Sequence, residues 1–192
     1  PNGIAPCDEF STNIAELGLG LPPDRPRIAW AGAVRREKNL IRLLRAFAPL
    51  KDEAVLLVIG DGPELDSALR ESESLCLGPA IRFLGRRQDV RDIFMQCDLV
   101  ALSSDTEQMP LAVLEAMDAG LPVASTDVGD VRHMVSRENQ PYIVNGSDHE
   151  LGAALRALAR DAATRKEGGA ANRRRLRQDY QAKDMIAAYE AL

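Results

Sequence analysis

From Arg27 onward the chain alternates between short apolar runs and amphipathic stretches, and this rhythm constrains the fold more than any single residue does. The runs at 28–31, 55–59, 81–84, 99–102, 123–125 and 142–144 have the length of buried strands. Helical stretches separate them at 40–50, 63–76, 90–96, 110–119 and 131–136. Strands that are apolar on both faces belong inside a sheet covered on both sides, and parallel neighbours need a crossover helix between them. The expected fold class is therefore α/β: a doubly wound, Rossmann-like parallel sheet of about six strands with flanking helices. C-terminal helices follow at 151–159, 163–180 and 185–192. Such a sheet binds ligands beyond the carboxyl ends of its strands, where the strand order reverses. Function should be sought in the loops after Ala31, Ile59, Leu84, Leu102 and Ser125.

The 192 residues suit one domain, divided into an opening loop (1–26), a core (27–147) and C-terminal helices (148–192). A hydrophobic content of 45% and a charged content of 28% are ordinary for a globular protein, and no apolar run approaches the ~20 residues of a membrane-spanning helix. The net charge of -5 argues against a broad nucleic-acid surface, and Arg173, Arg174, Arg175 and Arg177 read as a solvated helix face. Cys7, Cys76 and Cys97 are odd in number and far apart, so neither a disulfide framework nor a zinc site is indicated, and a reducing cytoplasm is the expected setting. With only His133 and His149, no histidine-based metal centre is expected. The chain opens on Pro1 rather than Met, which is the pattern of a piece of something longer. Met185, Ile186, Tyr189 and Leu192 give the last helix one apolar side that needs a partner surface, such as a dimer mate.

Within the core, the segment 103–129 carries the chemistry. Ser103, Ser104 and Asp105 end an apolar run in a polar loop, Pro110 suits a first helical position and Gly120 a helix terminus. Glu107 precedes that helix and Glu115 lies inside it, so both carboxylates can face one crevice. Between them the free amides near Met109, Pro110 and Leu111 favour an anion. Carboxylates for hydroxyls beside amides for phosphate suit a nucleotide bearing a sugar. After the first strand, Gly32 lets the backbone approach a ligand, while Arg35, Arg36 and Lys38 can pair with a diphosphate; the alternative is a solvated basic turn. Gly60, Asp61, Gly62 and Pro63 read as a tight turn, with neither the three glycines of a dinucleotide fingerprint nor a P-loop. There Asp61 serves as a helix cap or, in an oxidoreductase, as the acid that binds a ribose. Asp127 or Asp130 is the expected cap of the helix after the fifth strand.

Glu107, Glu115 and the following AMDAGLPVASTDVGD resemble the donor-site signature of the family 4 retaining glycosyltransferases of the GT-B fold, where E-x7-E precedes LEAMAAG-[LT]-PVV-[AS]-[ST]-D. The GDGP at 60–63 is also similar to that family's wording, and Pro1, Asn2, Gly3 and Ile4, with Phe10, resemble its crossing from first to second domain. The resemblance covers nearly the whole chain. It implies the carboxyl-terminal, donor-binding domain, with the N-terminal acceptor domain outside this chain and any peripheral membrane contact made only through that domain. In the family's G-R-L-x-x-E-K-G, Lys38 matches the lysine that holds the donor's phosphates, whereas Ala33 stands at the arginine position. Arg35 or Arg36 is expected to fill that gap. Gly85, Arg86, Arg87, Gln88 and Asp89 resemble the segment that meets the nucleobase through backbone groups, so the base stays open among UDP, GDP and ADP. The resemblance further implies a transfer that needs no metal or cofactor, with Lys38 stabilising the leaving diphosphate, Glu107 orienting the sugar and Glu115 accepting from the ribose. An NAD-type oxidoreductase domain and a non-catalytic nucleotide-sugar-binding module are the alternatives.

Overall fold

A computed structural model describes residues 21–180. The features expected within 1–20, Phe10 included, and the apolar helix at 185–192 lie outside the described residues. Six parallel strands form one sheet: β1 (Arg27–Ala31), β2 (Val55–Ile59), β3 (Ile81–Gly85), β4 (Leu99–Leu102), β5 (Val123–Thr126) and β6 (Ile143–Val144). Their order is β3-β2-β1-β4-β5-β6. The chain winds outward from β1 to β3 and then returns to lay β4 on the other side of β1, pairing Ile28 with Leu99 and Ala29 with Val100. The reversal of strand order thus falls between β1 and β4, the place at which such sheets bind ligands.

Seven helices cover the described sheet: α1 (Leu40–Phe47), α2 (Leu65–Ser74), α3 (Val90–Phe94), α4 (Leu111–Asp118), α5 (Val131–Met134), α6 (Asp148–Arg160) and α7 (Ala162–Asp179). Period-two geometry splits the central strands between two cores. Ile28, Trp30, Leu56 and Val58 pack with Leu43, Leu44, Phe47, Leu151 and Leu155 under α1 and α6. Ala29, Val55, Leu57 and Ile59 pack with Ile93, Phe94, Val113, Met117 and Leu176 under α3, α4 and α7. All five residues of β2 are buried, which is why that strand reads as an unbroken apolar run.

Several helix ends differ from the expected ones for local reasons. The expected helix at 40–50 stops at Phe47 and tightens into a 3-10 turn, Ala48–Leu50, because Pro49 supplies no amide to continue it. Pro110 is not the first residue of α4 but its N-cap, with extended backbone angles of φ -69° and ψ 123°, so the helix begins at Leu111. Asp130 stands at the N-cap of α5 without a side-chain bond, while Asp127 pairs with Arg132 instead. α6 starts three residues earlier than expected, because Ser147 accepts from the Glu150 amide and donates to the Glu150 carboxylate.

Candidate functional site

Two loops flank the switch point, and hydrogen bonds stitch them together. The loop after β1 leaves through Gly32, whose amide donates to Ile59 O at 3.0 Å, and buries Val34, whose amide donates to Asp61 O at 2.9 Å. It then makes a 3-10 turn over Arg36–Lys38 and ends at Asn39, held left-handed at φ 42° while its side chain caps α1 at the Arg42 amide. The loop after β4 answers it: Ser103 Oγ donates to Lys38 O at 2.9 Å, and the Asp105 amide donates to Glu37 O at 2.8 Å. Arg42 clamps the same place, donating to Ser103 O at 3.0 Å and pairing with Asp105 at 2.7 Å.

On its far side the loop after β4 is fixed by the loop after β5. Thr126 Oγ1 donates to Ser104 O at 2.7 Å, and the Asp130 amide donates to Gln108 O at 2.8 Å. Gly129 makes that contact possible: its φ is 53°, and a Cβ there would lie 2.3 Å from Gln108 O. The stretch carrying Glu107 is therefore held from both sides.

In this frame Lys38 Nζ lies 2.5 Å from Glu107 Oε1, which also accepts from Ser104 Oγ at 2.7 Å. The Glu107 side chain is only 9% exposed. Beyond it, the Val113 amide turns back to Pro110 O, leaving the amides of Leu111 and Ala112 with no acceptor inside α4. Met109 is half-buried against the α4-side core, Pro110 is buried, and Leu111 projects outward. Glu115 sits one turn beyond Leu111 on α4, half-buried. Burial pushes its carboxyl above the ordinary glutamate value, and Arg91 on α3 pulls in the opposite direction. Glu107 is thus bound by Lys38 and Ser104, whereas Glu115 feels the charge of Arg91.

Beside the switch point a cleft of about 670 Å³ opens over the ends of β1, β2 and β3. Of the residues expected at the site, Gly32, Arg35 and Arg87 line it, together with Ala33, Asp61 and Arg86. Arg36 faces another hollow, of about 290 Å³, with Asn39, Glu64 and Asp105; Arg35 borders both. Lys38, Glu107, Met109, Pro110, Leu111 and Glu115 line neither hollow. Arg87 is engaged by Asp89 in a two-pronged pair at 2.8 and 2.6 Å, which raises the pKa of its guanidinium, whereas Arg86 is exposed. Asp61 accepts from the Gly62 amide at 2.7 Å, closing its own turn rather than capping α2. The neighbouring glycines serve packing: a Cβ on Gly60 would lie 1.8 Å from Gly32 O.

Sequence reasoning marked Ser103 and Asp105 as a polar loop but missed the clamp that Asn39 and Arg42 form with them. Only Asn39, a residue that tolerates left-handed backbone and caps helices, carried a local signal of it.

A doubly wound parallel sheet with a cationic cleft and free helix amides beyond its strand tips defines a Rossmann-like nucleotide-binding domain. The family model described as "Glycosyl transferases group 1" matches residues 25–161, and the chain belongs to that family. It is 28% identical over 162 residues to N-acetyl-alpha-D-glucosaminyl L-malate synthase of Bacillus anthracis, covering 82% of this chain and 42% of the relative. To the D-inositol 3-phosphate glycosyltransferase of Xylanimonas cellulosilytica it is 32% identical over 180 residues, covering 88% of this chain and 43% of the relative. The chain thus spans less than half the length of these relatives. Among solved structures, Anabaena HepE in complex with UDP superposes with a TM-score of 0.81 at 20% identity, covering 93% of this chain and 51% of that one. WaaG, a glycosyltransferase involved in lipopolysaccharide biosynthesis, gives 0.80 at 23% identity, covering 98% of this chain and 54% of that one. These two share the fold.

Proposed function

We propose that this chain is the donor-binding domain of a retaining glycosyltransferase, which transfers a sugar from a nucleoside diphosphate to an acceptor hydroxyl. The observation that carries the reading is the Lys38–Glu107 pair beside the free amides of α4, at the switch point of the sheet. An ammonium already held there can exchange part of its pairing for a diphosphate, and the Leu111 and Ala112 amides supply further donors. As Lys38 turns to phosphate, Glu107 gains lone pairs for the hydroxyls of the sugar. Charge that builds on the departing diphosphate is met by Lys38 and these amides, and such fixed donors lower the barrier to transfer. Glu115, one turn along α4, accepts from the ribose. Arg35, which lines the cleft next to Ala33, supplies the second cation there. No metal or cofactor enters this reading. The base remains open among UDP, GDP and ADP.

The acceptor hydroxyl comes from the remainder of a longer protein, so this chain binds donor and transfers little by itself. A reducing, cytoplasmic setting belongs to the same reading. It is supported by the free thiols of exposed Cys76 and buried Cys97, the latter pushed up to about 12 by burial. A dinucleotide-dependent oxidoreductase is disfavoured, because residues 25–161 match the glycosyl transferase family.

Calorimetry against UDP, GDP, ADP and their glucose or mannose conjugates tests the proposal. Binding of one nucleotide family is expected, with Lys38→Ala weakening it at least ~10-fold, the worth of a charge-assisted hydrogen bond. Wild-type affinity in Lys38→Ala, or tighter binding of NAD than of any of these ligands, would contradict it.

A further inference from the structure

Asp118 is an acid in the last turn of α4, 1% exposed, paired with Arg91 Nη2 from α3. A buried ion pair often contributes nothing net to stability, because desolvating both charges costs as much as their attraction returns. Its position on α4 offers another use. Asp118 lies three residues beyond Glu115, one turn along the same side of α4, so the guanidinium bound to Asp118 acts on Glu115 through its charge. We infer that the Arg91–Asp118 pair is a positioning device for Glu115: Asp118 anchors a guanidinium from α3, and that guanidinium orients the Glu115 carboxylate toward its ligand.

The charges around α4 leave this task to Arg91. From α7, Arg173 packs against Gly120, past the end of the helix. From α5, Arg132 is bound to Asp127 and to Ile143 O, and His133 is exposed. β4 carries no charge, and Lys38 is committed to Glu107 across the loop. Among the described residues, Arg91 is the charge that opposes the burial of Glu115. With no guanidinium there, the half-buried carboxyl would hold its proton to a higher pH and accept hydrogen bonds less well.

The inference rests on assigning Glu115 to the nucleotide, and the two can fail separately. The direct readout is a 13C NMR titration of the Glu115 side-chain carboxyl in the full chain. Arg91→Met is expected to move its midpoint upward by about one pH unit, the effect of losing a nearby opposite charge. Asp118→Asn is expected to move it downward, since it removes a neighbouring negative charge. Both variants break one ion pair, so a purely structural role gives two similar losses of thermal stability without midpoints that move in opposite directions. A midpoint unmoved by Arg91→Met, or moved the same way by both variants, overturns the inference; where Arg91→Met does not fold, the direction seen in Asp118→Asn decides. Calorimetry with UDP-glucose, GDP-mannose and ADP-glucose as probes separates the two claims. If Glu115→Gln leaves the affinity unchanged, the nucleotide role of Glu115 fails and the inference falls with it. If Glu115→Gln weakens binding while Arg91→Met leaves the carboxyl midpoint in place, the inference fails alone.

Discussion

At Glu107 one carboxylate oxygen accepts from both Lys38 and Ser104, so its charge is compensated where it stands. Among the described residues Glu115 has no such cradle, and burial is the leading influence on it. Between the ordinary glutamate pKa and its raised value, the folded chain holds more protons than the unfolded one, so Glu115 makes stability fall as pH rises through that interval. Chemical denaturation of wild type and Glu115→Gln across pH 4 to 7 is expected to show this as a difference: the glutamine variant gains relative stability as pH rises. A constant difference would mean that the carboxyl is not raised. The acidic pair was legible from spacing and from its resemblance to a donor signature, but the contrast in environment was not. Arg91 lies 24 positions before Glu115, and nothing in the intervening residues marks its influence on that carboxyl.

The helices and strands were legible to within a few residues wherever burial on both faces or an amphipathic stripe was strong, as in β2 and α1. Their ends were less so. Pro110 fits both the first helical position and the cap, and the choice between them depends on the loop it leaves. The signal for α6 was present in the Ser147 to Glu150 capping box, which a reading led by apolar periodicity passes over.

Least legible were the side chains that tie one element to another. Asn139 exchanges two hydrogen bonds with the backbone of Val123, completing the edge of β5 as a strand would. Asn172 on α7 binds Asn139, Leu121 O and the Ser136 amide. Both asparagines are fully buried. Asn172→Ala would leave a buried amide and a buried carbonyl unpaired, and is expected to cost roughly 3 kcal/mol in urea denaturation. Gly129→Ala is expected to cost roughly 2 kcal/mol and to weaken nucleotide binding as well, because its Cβ would push on the backbone of Glu107 and Gln108. Gly129→Ala with wild-type stability and affinity would show that the Glu107 loop is not held from this side.

Across the whole molecule, the strand order follows from one excursion: three strands wind outward, and the fourth returns beside the first. That return brings residues 69 positions apart, Lys38 and Glu107, into one ion pair. The sequence pattern predicts a parallel sheet with such a crevice, but which loops meet there is set by topology, and topology needs the register of β1 with β4. The cleft over β1, β2 and β3 lies to one side of this pair. A ligand that spans both places must be extended, as a nucleotide joined to a sugar through a diphosphate is. Trp30 is buried beneath Gly32, so its fluorescence reports on the strand end rather than on direct contact with a ligand.

The central claim is a division of labour between two glutamates, and one paired measurement tests it most directly. Affinities for the nucleoside diphosphate and for its sugar conjugate are determined by calorimetry in wild type, Glu107→Ala and Glu115→Ala. Glu115→Ala is expected to weaken both ligands about equally, whereas Glu107→Ala spares the diphosphate and weakens the sugar conjugate by roughly 10-fold. Equal losses for both ligands in both variants would contradict the account.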